Sequence, residues 1–287
     1  MKVVVTSDIA EAYRLVAEGY IPVEASYGSE TVHDLSRSDP LLTLDHHGPL
    51  SDLECPAIRA QKEMWAKGLE NHRAVGCYVL SHIDADSFLT VMGLEGYRLP
   101  MNFIERVAFV DIHGRHKIPE DQQNHPDQIR LSLLNDLLNR RKGFGHDEFR
   151  RAIQILLLPD DSQTIKDKIE KLKVRRERIL ANCFVMDKIA IGISDEYPLD
   201  ILYELRDFAI AYHYIDRYIT IGCRDMETGL AYEGFLEDGL KKLWSMLGSG
   251  WGGRETIGGS PRGERMDLQQ TYDAAIFLQK WLGEKHE

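Results

Sequence analysis

Residues 75–94 read VGCYVLSHIDADSFLTVMGL. Residues 75–80 are an apolar run carrying the β-branched Val75 and Val79, the pattern of a short buried strand. His82, Asp84 and Asp86 follow at alternate positions. An apolar stretch then runs to Leu94, and Asp is a common cap for the helix it predicts. The same grammar recurs on both sides. Residues 2–6 (KVVVT) predict a strand, and residues 9–18 a helix stopped by Gly19. Residues 21–25 and 41–44 predict further strands, the second ending at Asp45-His46-His47-Gly48. A helix is expected over 57–69, and the run 106–110 reads as one more strand, ending at Asp111. Short buried strands alternating with helices define an α/β domain with a mostly parallel sheet. Such sheets bind ligands beyond the carboxyl ends of their strands.

Beyond residue 120 the pattern changes. Residues 127–158 read as helices with a loop at 143–145, and residues 161–182 as one long charged helix, a solvated connector. Residues 188–193, 208–212 and 218–222 predict strands, and 236–247 and 268–282 helices. Between those helices lies GSGWGGRETIGGSPRG (residues 248–263), a local glycine-rich loop. The expected organisation is an α/β catalytic domain over 1–150, a helical connector over 151–185 and a second, smaller α/β domain over 186–287. Charge follows the same division. Residues 1–120 and 186–287 each carry net -7, so the overall -11 leaves +3 for the middle.

That acidity excludes a protein that coats long nucleic acid, which needs basic surface. It leaves room for a small anion in a local pocket. Cys55, Cys77, Cys183 and Cys223 are far apart with no CxxC pair, so neither a disulfide framework nor a zinc finger is expected. No signal-peptide pattern and no run of about 20 apolar residues is present. A cytoplasmic protein with no membrane partner is the expectation.

Histidine placement carries the chemistry. His46 and His47 follow Asp45, His82 precedes Asp84 and Asp86, and His113 and His116 follow Asp111, each group at an expected strand end. Singly these have plain explanations: a polar loop, a helix cap, a turn. Together they favour a metal site, since imidazole with carboxylate suits Mn, Zn, Fe or Mg. His116 is a further candidate contact to ligand or substrate. In the glycine-rich loop, Gly252, Gly253, Gly258 and Gly259 would let backbone N–H groups approach an anion, with Arg254 and Arg262 as forked donors and Arg224 as a third. The plain alternative is a surface loop with solvated arginines. Trp251 would either stack on a base or bury against the neighbouring helix.

LLTLDHHG resembles the strand-plus-DHH motif of the DHH phosphoesterase superfamily, and SHIDADSFLTVMGL resembles that superfamily's first motif, in the shorter spacing of archaeal RecJ-like members. YITIGCRD and GWGGRETIGGS are similar to the strand and glycine-rich motifs of its substrate-binding DHHA1 domain. Two features depart from the pattern. DHH precedes the His/Asp/Asp motif here, as in a circular permutation, and Arg254 stands where the family commonly has His. Under the permuted order Asp8 matches the lone Asp of the second motif and Asp111 that of the fourth.

The resemblance implies two divalent ions, Mn favoured, with Mg, Zn or Fe as alternatives. Asp84, Asp86, Asp111, His46 and His82 would be ligands, and Asp8 would complete the set. Asp45 and His47 would be catalytic, orienting ligands or polarising phosphate. Arg224, Arg254, Arg262 and the four loop glycines would grip the substrate. The implied activity is hydrolysis of a small phosphate ester, a nucleotide or a short oligonucleotide, with an oligomer left open. A metal hydrolase of a non-phosphate bond and a non-catalytic nucleotide-binding regulator are the alternatives.

Overall fold

The computed structural model describes residues 1–27, 30–32, 44, 53–66, 76–138, 144–235, 237–261 and 263–283. Asp45, His46, His47 and Arg262 lie outside the described residues, as does the expected strand over 41–44 except for Leu44. The chain divides into two compact units, Met1–Ile169 and Glu170–Glu287.

The first unit is built on a three-stranded parallel sheet. β1 (Lys2–Val5) leads into α1 (Ile9–Ala17), which Asp8 caps by accepting the Ala10 N–H at 2.9 Å. Gly19, at φ +94°, ends that turn of chain. β2 (Ile21–Pro22) follows, then a small antiparallel pair, β3 (Ser26–Tyr27) and β4 (Glu30–Thr31). After α2 (Pro56–Ala66) comes β5 (Cys77–Leu80), which inserts between β1 and β2. Its register sets Val5 beside Leu80 and Pro22 beside Val79, so all three strands end together. Tyr78, Val79 and Leu80 are fully buried, as a central parallel strand requires.

Helices then cover this sheet. α3 (Ala85–Leu94) is buried from Ala85 to Gly93, which explains its almost unbroken apolar sequence. α4 (Met101–His113), α5 (Pro126–Leu138) and α6 (His146–Leu156) follow. Phe88 anchors the core, its ring 4.9 Å from both Phe144 and Phe149. The expected strand at 106–110 is instead the second half of α4. Phe103, Ile104, Val107 and Ala108 are the buried positions, a helical repeat that a five-residue window cannot display. Pro100 opens the helix, and Asp111 therefore sits on its last turn rather than at a strand end.

α7 (Gln163–Ala181) spans the division between the units. It is less solvated than its charge suggests. Ile165 and Ile179 are buried, Lys168 pairs with Asp136 at 2.6 Å, and Arg175 reaches Glu196 and Asp200.

The second unit is a six-stranded mixed sheet in the order β10-β11-β9-β8-β7-β6. Its strands are β6 (Cys183–Met186), β7 (Ile189–Ser194), β8 (Phe208–His213), β9 (Tyr218–Cys223), β10 (Gly252–Gly253) and β11 (Ile257–Gly259). Only β7 and β8 are parallel. α8 (Leu199–Leu202) makes their crossover. α9 (Met226–Gly229), α10 (Lys241–Leu247) and α11 (Leu268–Gly283) complete the unit. Strand alternation sorts the two faces. Ile189, Ile191, Phe208 and Ile210 pack with Leu243 and Leu278, whereas Ala190, Ala209 and Ala211 meet α8. Small residues are needed on that second face, since a methyl group on Gly222 would overlap the Tyr203 hydroxyl. Among the described residues no helix is long and apolar enough to cross a membrane.

Candidate metal centre

The site forms where β2 and β5 end side by side. Val23 donates its N–H to Val79 O at 3.0 Å, continuing the β2–β5 pairing, and the chain then turns sharply at Glu24, at φ +46°. A positive φ is uncommon outside glycine and occurs where surrounding contacts enforce it. Here they do. The Glu24 N–H reaches Leu44 O at 2.7 Å, and Glu24 O accepts the Ser81 hydroxyl at 2.6 Å. The Glu24 side chain is 1% exposed. Leu44 is the residue before the DHH triplet in sequence.

Asp84 caps α3 through a reciprocal pair. Its Oδ1 accepts Ser87 N–H at 2.9 Å, and its own N–H goes to Ser87 Oγ at 3.0 Å. Its Oδ2 is left for His82 Nε2, at 3.2 Å. That nitrogen is also 3.8 Å from Glu24 Oε2. Donor counting fixes the direction at Nδ1. Ser81 gives its one hydroxyl proton to Glu24 O, so its oxygen accepts from His82 Nδ1, 3.0 Å away. His82 Nε2 is hydrogen-bonded to Asp84 Oδ2 and faces two carboxyl groups, so a cation bound there would take the place of the shared proton. An imidazole whose other nitrogen is held by a hydrogen bond, facing carboxylates, is the donor arrangement of metal-ligating histidine. Ligand atoms of Glu24, His82 and Asp84 lie within 4.8 Å of one another.

More negative charge stands around this group. Asp86, 1% exposed, accepts the Cys55 thiol at 2.8 Å and Ala57 N–H at 3.1 Å through Oδ1. Burial is the chief cause that holds the Glu24 carboxyl well above the usual range. The charges of Asp84, Asp86 and Asp111 and a hydrogen bond with Asp86 add to it. Asp86 rises to about 6, again first by burial; the Cys55 hydrogen bond opposes this, and the Asp84 and Asp111 charges assist. Asp84 goes the other way. Burial alone would raise it, but the His82 contact and the two Ser87 hydrogen bonds outweigh burial and lower it. Burial and the adjacent Asp86 push the Cys55 thiol up, so it is an inert donor rather than a nucleophile. Without a cation the cluster favours protonation of Glu24 and Asp86 over their charged forms. A divalent ion offsets the same charge, so the donor set fits one.

The structure thus brings His82, Asp84 and Asp86 together and sets Asp111 close enough to raise its neighbours electrostatically. Asp8 caps α1 and is not in the Glu24, His82 and Asp84 group. Glu24 was missed by the sequence reading. Its signal was present, because Ile21-Pro22-Val23-Glu24 is an apolar run ending in an acid, the same pattern that marked the other strand ends.

In the second unit, Gly252 and Gly253 pair with Gly259 and Gly258 as a hairpin. Gly253 and Gly258 have a packing reason: a methyl on Gly258 would enter the Trp244 ring, and one on Gly253 would enter the Gly258 backbone. Trp251 packs against the core there. Arg254 is exposed, its N–H bonded to Ile257 O at 2.7 Å. Arg224 donates to Tyr203 O and lies 3.5 Å from Asp207.

Among solved structures, the chain is similar to a pGpG-specific phosphodiesterase from Vibrio cholerae. Identity is 14%, over 72% of this chain and 80% of that one, with a TM-score of 0.39. It is also similar to an exopolyphosphatase-related protein from Bacteroides fragilis, at 12% identity over 72% of this chain and 58% of that one, TM-score 0.28. A third likeness is to an uncharacterized protein from Helicobacter pylori, at 13% identity over 77% and 72%, TM-score 0.23. No family model matches the chain, and no curated protein matches it.

Proposed function

We propose that this chain is a divalent-metal-dependent phosphoesterase acting on a small phosphate ester, a nucleotide or a short oligonucleotide. The observation that carries the reading is the buried Glu24 carboxyl beside His82 Nε2 and Asp84, at the shared end of two parallel strands. Glu24, His82 and Asp84 would hold one ion, with Asp86 and Asp111 completing the acidic shell. Asp45, His46 and His47 join them by their resemblance to the DHH motif, which starts one residue after Leu44. Bound divalent ions supply Lewis acidity towards a phosphoryl oxygen and lower the pKa of water.

The chain's own groups do the positioning. The α3 cap aims Asp84, Ser81 fixes the His82 ring, and Cys55 with Ala57 holds Asp86. Preset donors of this kind need no rearrangement when a ligand arrives. The second unit would serve as the substrate-gripping part, with Arg254 the exposed forked donor of its hairpin. Arg224 is already committed to Tyr203 and Asp207, so its role would be to brace that hairpin's neighbourhood.

A Mn-supplemented screen over phosphodiesters, linear dinucleotides and pyrophosphate tests the reading. Turnover that requires added metal and disappears in Asp84→Ala supports it. No bound metal on analysis, no rise in melting temperature with Mn and no turnover together would overturn it.

A further inference from the structure

Asp86 is held from outside its own helix. It lies in the first turn of α3, and its two Oδ1 donors, the Cys55 thiol and the Ala57 N–H, are 31 and 29 residues away in the chain. Both come from the start of α2. Cys55 opens that helix, since its carbonyl accepts the Arg59 N–H at 3.1 Å. Its sulfur rests against the Ala57 and Ile58 N–H groups, so its own proton is turned away from the helix, to Asp86. The first N–H groups of a helix have no partner within it, and here one of them serves a carboxylate of another helix.

The donors keep a fixed place because α2 is pinned to α3 at a second level. Ala60 and Gln61 come so close to Gly93 that a Cβ there would stand 3.2 Å from Ala60 Cβ and 3.0 Å from Gln61 Nε2. That Nε2 also donates to Tyr97 O at 3.0 Å, past the end of α3. Cys55, Ala57 and Asp86 are all buried, so bulk water does not compete for Oδ1. Asp86 meanwhile shares a hydrogen bond with Glu24. Its carboxyl group is therefore strung between α2 and the metal centre. We propose that Cys55 is a positioning residue of that centre, its thiol aiming the Asp86 carboxylate at the ion that Glu24, His82 and Asp84 would hold. The role rests on the metal-dependent reading above and belongs to a side chain that touches neither ion nor substrate. Outer partners of this kind orient a ligand and typically change metal affinity by about 10–100-fold.

Mn titrations of the full chain, followed by loss of the free-ion EPR signal, test this without substrate. Cys55→Ala removes the donor and is expected to weaken Mn by about tenfold or more. Cys55→Ser supplies a hydroxyl that accepts from the helix and donates to Asp86, so affinity should return close to that of the parent. Cys55→Val fills the space without a donor and should match Cys55→Ala, which preserves the comparison where the alanine variant folds poorly. A merely structural role predicts another pattern: melting temperature in EDTA falls in the variants while Mn affinity stays that of the parent. Parent-like Mn affinity in Cys55→Ala or Cys55→Val, or a loss in Cys55→Ser as large as in Cys55→Ala, would overturn the proposal. A parent chain that binds no Mn would remove the metal centre itself, so the two readings fail by different results.

Discussion

Glu24 shows what a single residue costs and supplies. A buried carboxyl among Asp84, Asp86 and Asp111, on a backbone at φ +46°, destabilises the metal-free fold. Glu24→Gln keeps the shape and removes the charge. The variant is expected to melt above the parent in EDTA and to lose the stabilisation that Mn gives the parent. Thermal scans of both proteins with and without Mn check this. The pH response has a definite sign. Asp86 titrates near 6 in the folded chain and near its ordinary value of about 3.9 when unfolded. Between those values the folded state holds a proton that the unfolded state has released, so metal-free stability falls as pH rises from about 4 to about 6. Glu24, also raised, adds to the fall. Melting temperature against pH in EDTA should slope downward over this range, and the slope should be shallower in Glu24→Gln. An equal slope in both would remove Glu24 from the linkage.

Elements differ in how much of themselves they display in sequence. The strand, cap and helix of residues 77–94 were legible because their determinants are local: an apolar run, an Asp cap with Ser87 as its partner, and a buried helix. α4 does not show in the run 106–110 because its apolar stripe begins earlier, at Phe103 and Ile104, and Asp111 reaches the cluster from a helix only through tertiary packing. Glu24 stayed hidden because its role depends on β2 lying beside β5, a pairing that joins residues nearly sixty positions apart. The glycine-rich hairpin was legible as a device, and its glycines split by cause. Gly258 faces Trp244, while a methyl on Gly252 would meet nothing within 4 Å. Gly258→Ala should therefore destabilise the protein by about 1–3 kcal/mol through overpacking. Gly252→Ala should stay within about 0.5 kcal/mol. Urea unfolding of the pair measures the difference; equal losses would mean that backbone freedom, rather than the Trp244 contact, decides these positions.

At the scale of the whole chain, the net charge of -11 argues against long nucleic acid, and the fold shows where some of that acidity is used. Glu24, Asp84, Asp86 and Asp111 gather in one place because two parallel strand ends and two helices converge there. All four belong to the first unit, and the second unit has its own core and its own sheet. A ligand that binds only the folded form of one unit stabilises that unit by mass action and leaves an independent neighbour unchanged. Manganese should therefore slow amide exchange in β1, β5, α3 and the last turn of α4. Exchange in β7, β8 and β9 should stay as it was. Hydrogen exchange followed by mass spectrometry reads both sheets in one protein. Protection spreading through both sheets would show instead that the units open as one cooperative body.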